Sequence, residues 1–201
     1  MIKGFRQIAV LTVLSRILGM LRDVAFAHFF GASGLMDGWA IAFKIPNLAR
    51  RLFGEGAASS SLIPVYSEQW QRDAQEANRL ALSVVTVIFV LLAVLTVLGE
   101  VFIWLYYSFW AAHESTRLKL VLTGVMLPYM VMICVAAILG GILNAHRHFA
   151  APAVAPALLN VFMLAALFAG AWTLRMSQSR HMLLMAGAVL VAGVAQLGIQ
   201  F

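Results

Sequence analysis

Residues 80–99, LALSVVTVIFVLLAVLTVLG, form a run of twenty residues without a charged side chain. A helix needs about 20 predominantly apolar residues to cross the hydrocarbon layer of a membrane. The run lies between Arg79 and Glu100, and an aromatic cluster that includes Phe102, Trp104 and Tyr106 follows it. Aromatic side chains of this kind are typical of the membrane–water interface. The stretch therefore predicts a membrane-spanning helix.

The rest of the chain has the same apolar character. Of its 201 residues, 63% are hydrophobic and 11% are charged, and the mean hydropathy is +0.92. A soluble domain carries about 25% charged residues, so the composition excludes a soluble enzyme, and it excludes a disordered chain for the same reason. We expect an all-α integral membrane protein. Its six predicted spans are 8–30, 35–58, 80–107, 120–145, 150–174 and 182–201.

The first two of these segments differ from the later four because they contain charged side chains. The glycine-rich residues 31–34 separate them and predict a tight turn, so we expect an antiparallel helical hairpin. Pro46 lacks an N–H group and should kink the second helix. The charged residues of the hairpin are Arg16, Arg22, Asp23, Asp37, Lys44, Arg50, Arg51 and Glu55.

Cations outnumber acids inside this hairpin. A charged side chain near the bilayer centre costs at least ~2.5–3.5 kcal/mol, so these groups must face a water-filled cavity or pair with one another. Counted from the turn, Arg22 lies at the depth of Lys44, and Arg16 lies at the depth of Arg50 and Arg51. Acids do not match these cations at equal depth. The unbalanced charge predicts an anion site, and arginine forks suit phosphate or pyrophosphate.

Two interpretations stay open for the inner end of the second helix. Asp37, Lys44 and Arg51 recur every seven residues and therefore share one helix face, which turns Arg51 toward the cavity. Arg50 and Arg51 also fit a simpler role as topology signals at the inner membrane surface.

The remaining polar residues suggest structural roles rather than catalysis. Asp23 suits a partner that orients Arg22 or a neighbouring helix, and Asn160, inside a span, is expected to hydrogen-bond to another helix. His146 and His148 have no acids or cysteines near them in the sequence and make a poor metal site. We predict neither a catalytic residue nor a metal site.

Short motifs in the hairpin and in the later runs permit a comparison with known families. They are SRILGMLRD (15–23), FGA (30–32), AFKIPNL (42–48), RRLFGEGA (50–57), IPVY (63–66), GILN (141–144), APA (151–153) and APALLN (155–160). Together they resemble the MurJ (MviN) family of lipid II flippases, within the multidrug/oligosaccharidyl-lipid/polysaccharide exporter superfamily. The resemblance covers the N-terminal transmembrane lobe of that fold, residues 1–201, and leaves the second lobe outside this chain.

The resemblance implies roles for individual residues. Arg16, Arg22 and Arg50 would be cavity arginines that meet the pyrophosphate of the substrate, and Lys44 joins them by its charge. Since the resemblance favours Arg50 and the helical wheel favours Arg51, both are retained as candidates. The implied gate residues are Asp23, Asp37 and Asn160 on the outer side, and Arg51 and Glu55 on the inner side.

The implied function is transport of lipid II, an undecaprenyl-pyrophosphate-linked saccharide, across the bacterial cytoplasmic (inner) membrane by alternating access for cell-wall synthesis. No bond is broken, so we expect no enzyme activity and no cofactor, and coupling to the membrane potential or to a monovalent cation stays open. The expected partners are lipid II and membrane lipid, with cell-wall synthesis proteins left open and nucleic acid excluded. The alternatives are a cation-coupled drug exporter of the same superfamily, which would want acids in this cavity, and a non-transporting membrane scaffold or fragment.

The distribution of Lys and Arg predicts the orientation. The formal net charge is +6, and with the N-terminus inside, the inner side holds seven of the 14 cations, the outer side four, and the spans three. This excess favours both ends on the cytoplasmic side. Residues 67–78, which are polar and highly charged, are then predicted to form a cytoplasmic loop.

Cysteine labelling tests this orientation. Single cysteines placed at Ser115 and Ser177 should react with a membrane-impermeant thiol reagent added outside the cell, whereas a cysteine at Gln75 should not. Labelling of the Gln75 position from outside would contradict the predicted topology.

Overall fold

A computed structural model describes residues 2–54, 56–111, 113–173 and 176–200. Within these ranges the chain is helical and contains no strand, so the predicted all-α membrane fold is confirmed. Two of the α-helices continue into a π-helical turn, at Arg50–Gly54 and at Ala169–Thr173. The α-helices are α1 (Ile2–Phe30), α2 (Gly34–Ala49), α3 (Ala57–Arg72), α4 (Ala74–Phe109), α5 (Glu114–Ala145), α6 (Ala150–Phe168) and α7 (Gln178–Gly198).

Four helical segments are long and apolar enough to cross a membrane: Ala74–Phe109, Glu114–Ala145, Ala150–Trp172 and Gln178–Gly198. They contain or closely match the last four predicted spans, because each of those runs lacks charge over about 20 residues. The two charged segments also fold as helices, α1 and α2. That α1 and α2 cross the membrane as well stays a prediction.

The polar segment 67–78 is helical, so the prediction of a loop there was wrong. Helix α3 ends at Arg72 and α4 begins at Ala74, with Asp73 alone between them. The Asp73 carboxylate caps α4 by accepting the backbone N–H groups of Gln75 (2.7 Å) and Glu76 (3.2 Å). Charged side chains indicate that a helix has left the lipid, but they do not end it.

Helix α5 lies at the centre of the lobe and packs against α2, α4 and α7. Met126, Tyr129, Cys134 and Ile138 of this helix are fully buried. Small residues allow the neighbouring helices to approach closely. A Cβ atom on Gly193 of α7 would lie only 2.8 Å from the Tyr129 ring.

Helices α1 and α2 do not form the predicted hairpin of mutually packed helices. The turn after α1 is present, with Gly31 at a φ of 58°, and Phe26 contacts Trp39 beside it at 5.3 Å between ring centroids. Beyond that contact α1 packs mainly against α6, and α2 packs mainly against α5. The two helices therefore pack against different parts of the lobe.

Pro46 lies inside α2, and the helix changes to the π-helical turn at Arg50, four residues later. Proline lacks the N–H that would bond to the carbonyl of Ala42, which removes one hydrogen bond of the α-helical pattern. Because the lost bond lies on the N-terminal side of Pro46 and the π-helical turn lies on its C-terminal side, the predicted kink at Pro46 stays a prediction.

Gly193→Ala tests the packing of α7 against α5. The added methyl group would overlap the Tyr129 ring, so we expect a loss of about 1–3 kcal/mol in stability, measured by thermal unfolding in detergent. Gly187→Ala is the matched control because a Cβ there meets nothing within 4 Å. It should be neutral or stabilising by up to ~1 kcal/mol, since alanine favours a helix. Equal effects of the two substitutions would contradict close packing at Gly193.

Candidate functional site: a cationic cavity

A cavity of about 600 Å³ opens between α2, α5, α6 and α7, and one side chain of α1 reaches it. Its wall contains both apolar and polar groups: proline, alanine and leucine side chains, together with amides and two guanidinium groups. The polar side chains that line it are Arg22, Asn47, Arg50, Asn144, Asn160, Gln196 and Gln200.

Arg22 is held on two sides. Its guanidinium donates to the Asp23 carboxylate at 2.7 and 3.0 Å, and Nη1 donates to Oδ1 of Asn160 at 2.8 Å. The Arg22 side chain is 21% exposed, whereas that of Asp23 is 70% exposed and does not line the cavity. The arginine is therefore fixed in direction and still presents positive charge to the cavity.

Asn160 joins α6 to α1 through both ends of its amide. Besides accepting from Arg22, it donates through Nδ2 to the backbone carbonyl of Ser15 at 3.1 Å. Gly19 lies beneath it, and a Cβ there would come within 3.5 Å of Nδ2. Asn160 is buried, and both of its bonds cross between helices.

Arg50 reaches the same cavity from α2. Phe43, Asn47 and Arg50 all line it, and their spacing of four and three residues defines one helix face. Asn47 is held in place because its amide donates to the Phe43 carbonyl at 3.2 Å.

The cavity-lining face of α2 therefore differs from the seven-residue stripe of Asp37, Lys44 and Arg51. These three side chains are exposed and are not among the residues that line the cavity. The helical wheel identifies which residues share a face, but it does not indicate which face turns inward. Glu55, the other residue predicted at the inner gate, lies outside the described residues.

Arg16 lies beside this cavity rather than in it. It lines a neighbouring opening of about 580 Å³ together with Ser15, Thr12 and Phe149. The two openings share Asn144, Pro152 and Pro156, so the opening that Arg16 lines is adjacent to the cavity that Arg22 lines.

The cavity also contains groups that sequence reasoning missed. Gln196 of α7 accepts from the Tyr129 hydroxyl at 3.4 Å and donates to the Ala155 carbonyl at 2.7 Å. The Oε1 atom of Gln200 is buried and has no hydrogen-bond partner. The sequence alone could have identified Gln196 as a candidate, because it is the only amide or charged side chain in residues 182–198.

The electrostatic character of the cavity follows from these contacts. Its described lining contains two guanidinium groups and five amides but no carboxylate. Fixed donors around an open space of this size suit an anion with several acceptor oxygens, such as a phosphate or pyrophosphate. Among the residues that the structure describes, no acidic side chain lines the cavity, and no three or more metal-ligating side chains form a cluster.

His146 is occupied by other contacts. Its Nε2 atom lies 2.7 Å from the Tyr66 hydroxyl oxygen. Its ring packs edge-on against the Trp70 ring, with 4.4 Å between the ring centroids. Burial raises the pKa of Tyr66, so the phenol stays protonated and can donate to the imidazole. This contact ties α3 to the turn that follows α5.

Comparison with known proteins adds an independent line of argument. A family model described as lipid II flippase MurJ matches residues 26–201. A probable lipid II flippase MurJ of Buchnera aphidicola subsp. Baizongia pistaciae is 34% identical over 100% of this chain and 39% of its own length. Another, of Bdellovibrio bacteriovorus, is 41% identical over 76% of this chain and 31% of its own length.

A solved structure of lipid II flippase MurJ in an inward closed conformation has a similar fold. Its TM-score is 0.74 at 28% identity, and the match covers 96% of this chain and 41% of that one. The chain thus spans about two fifths or less of the length of these relatives. The family model begins after Arg16, Arg22 and Asp23, but the Buchnera relative aligns over the whole chain.

Asn160→Ala tests the link between α1 and α6. It removes the acceptor of Arg22 and the donor to Ser15, so we expect a loss of about 1–3 kcal/mol in thermal unfolding. Asn144→Ala is the matched control, because Asn144 lines the same cavity with an exposed side chain. It should leave the unfolding midpoint nearly unchanged. Equal shifts for the two variants would show that Asn160 does not join the helices.

Proposed function

Because the chain belongs to the lipid II flippase MurJ family, as its motifs predict, we propose that it forms the N-terminal lobe of a lipid II flippase. The family assignment and the four apolar helices among the described residues support a multi-pass membrane protein. The observation that carries the proposal is that Arg22 and Arg50 line one cavity whose described wall contains no carboxylate.

The proposed role of the cavity is to hold the pyrophosphate of the lipid headgroup. Arg22 and Arg50 approach from different helical segments and would donate charge-assisted hydrogen bonds to the two phosphates. Three of the five N–H groups of Arg22 bond to Asp23 and Asn160, which leaves two for phosphate oxygens. Asp23 and Asn160 keep Arg22 in position and so reduce the ordering that binding requires. The amides of Asn47 and Gln196 suit the neutral sugar hydroxyl groups next to the pyrophosphate.

The proposed transport moves the headgroup from the inner to the outer leaflet of the bacterial cytoplasmic membrane by alternating access, with six spans in this lobe and the N-terminus inside. Binding and release need no bond to be broken, so the lobe acts as a transporter without catalysis or cofactor. An anionic headgroup that moves outward across an inside-negative membrane gains ~2.3 kcal/mol per charge per 100 mV. The membrane potential therefore favours transport from the inner to the outer leaflet. Coupling of this transport to a monovalent cation is part of the same proposal.

The alternative of a cation-coupled drug exporter is not favoured. A cavity for a cationic drug would need accessible acids, and the acid next to this one, Asp23, is bound to Arg22. The family assignment likewise does not favour a non-transporting scaffold.

Substitution of Arg50 tests the proposed headgroup site in a complete two-lobe protein that carries this lobe. Arg50→Lys keeps the charge but loses the planar fork, so lipid II binding should weaken, and Arg50→Ala should weaken it further, by roughly ten- to a hundredfold. Native mass spectrometry measures binding, and growth of a flippase-depleted strain measures function. Arg22→Ala and Arg16→Ala should also impair both readouts.

Arg79→Ala is the matched control, because it removes the same charge from an exposed position at the start of α4, away from the cavity. It should bind lipid II and support growth as the unaltered protein does. Normal binding and growth in the Arg16, Arg22 and Arg50 variants would show that the cavity is not the headgroup site.

A further inference from the structure

The apolar part of helix α4 contains an acidic side chain, Glu100, that the headgroup site does not use. Glu100 is the only charged side chain in residues 80–111. It lies just before the aromatic residues Phe102, Trp104 and Tyr106, which place it on the apolar side of the membrane interface. An intramembrane acid is costly when ionised and is usually functional.

The Glu100 carboxyl group lies in the contact between α4 and α5. A Cβ added to Gly124 of α5 would lie 3.1 Å from Oε2 and 3.8 Å from Oε1. Glycine at this position leaves the space that the carboxyl group occupies. Among the residues that the structure describes, the carboxylate makes neither a hydrogen bond nor an ion pair.

The charged groups of the helices packed against α4 do not neutralise Glu100. On α5, Arg117 donates to the Ala111 carbonyl at 2.8 Å and lies over the Tyr107 ring. Lys119 of α5 has its side chain against Gly38 of α2. On α3, the ion pair between Arg72 and Glu68 lies near the opposite end of α4.

A second unpartnered polar atom lies one helical turn away. Thr96 is 8% exposed, and its Oγ1 atom is buried and has no hydrogen-bond partner in the part of the chain that the structure describes. Residues four apart share a helix face, and helical side chains tilt toward the N-terminus, so the Glu100 side chain extends over the turn that carries Thr96. A rotation about the side-chain bonds of Glu100 brings its carboxyl group toward this hydroxyl.

We propose that Glu100, together with Thr96, forms a proton-binding site in the α4–α5 contact, at which the acid is neutral at neutral pH. The carboxylate takes up one proton from water at the nearby membrane face, and the resulting carboxylic acid exchanges a hydrogen bond with Thr96. A single carboxylate and a single hydroxyl suit a proton, because a metal cation would need several more oxygen ligands.

Ionisation of Glu100 would leave an uncompensated charge between α4 and α5 and weaken their contact. Helix α5 also supplies residues from Ile133 to Asn144 to the cavity wall. The proton site is separate from the arginines, and its test does not depend on lipid II.

Infrared spectroscopy of the complete protein in lipid nanodiscs tests the site directly. A neutral carboxylic acid has a C=O band that an ionised carboxylate lacks, and exposed acids are ionised at neutral pH. We expect this band in the unaltered protein and in Glu76→Gln, which changes an exposed acid on the same helix. Glu100→Gln should remove it. Identical spectra for the unaltered protein and Glu100→Gln at neutral pH would overturn the proposal.

Two further measurements separate the site from a merely structural role. Thr96→Val should shift the C=O band, since the acid loses its hydrogen-bond partner, and an unshifted band would remove Thr96 from the site. The unfolding temperature of the unaltered protein should fall as the pH rises from about 5 to about 8, because only the folded state penalises ionisation of Glu100. The fall should be smaller in Glu100→Gln, and an equal fall would count against the proposal.

Discussion

A guanidinium group among apolar helices has to be hydrogen-bonded, and Arg22 meets this requirement through groups on two helices. Asp23 supplies the charge next to it, and Asn160 supplies a neutral acceptor from α6. Because Asn160 also bonds to the backbone of α1 at Ser15, the same amide holds α1 against the lobe. The requirement to satisfy one buried cation thus determines where α1 packs. Since Asp23 stays outside the cavity, positive charge remains on the cavity wall.

The apolar helices could be predicted from the sequence because a membrane-spanning helix needs a minimum length and few charged side chains. The run at 80–99 and the later apolar runs meet both conditions, and helices occupy all of them. The partners of the polar side chains could not be predicted in this way. Arg22 and Asn160 are 138 residues apart, and no periodicity connects them. The sequence suggests Asp23 as a partner of Arg22, and the two side chains are in contact, whereas the contact between Asn160 and Arg22 required coordinates.

Two differences between prediction and structure have different causes. The wheel that grouped Asp37, Lys44 and Arg51 correctly describes an ideal helix, but packing against α5 turns Phe43, Asn47 and Arg50 toward the cavity instead. The segment 67–78, predicted as a loop from its polarity, is kept helical by local bonds. The pattern of Asp73 followed three residues later by Glu76 is a helix-start signal that composition alone obscured. In the first case the periodicity of an ideal helix was taken to show which face turns inward. In the second, the polarity of side chains was taken to show that the backbone is not helical.

The junction at Asp73 has a mechanical consequence. Asp73 alone joins α3 to α4, with backbone angles of φ −150° and ψ 108°. Helix α3 contains 16 residues, and at 1.5 Å per residue it is a rigid arm about 24 Å long. A rotation of about 10° at its base would displace its far end by ~4 Å, which is a distance comparable to the reach of a side chain. Helix α3 also contacts the π-helical turn that carries Arg50, so a shift of α3 would act directly on a wall of the cavity.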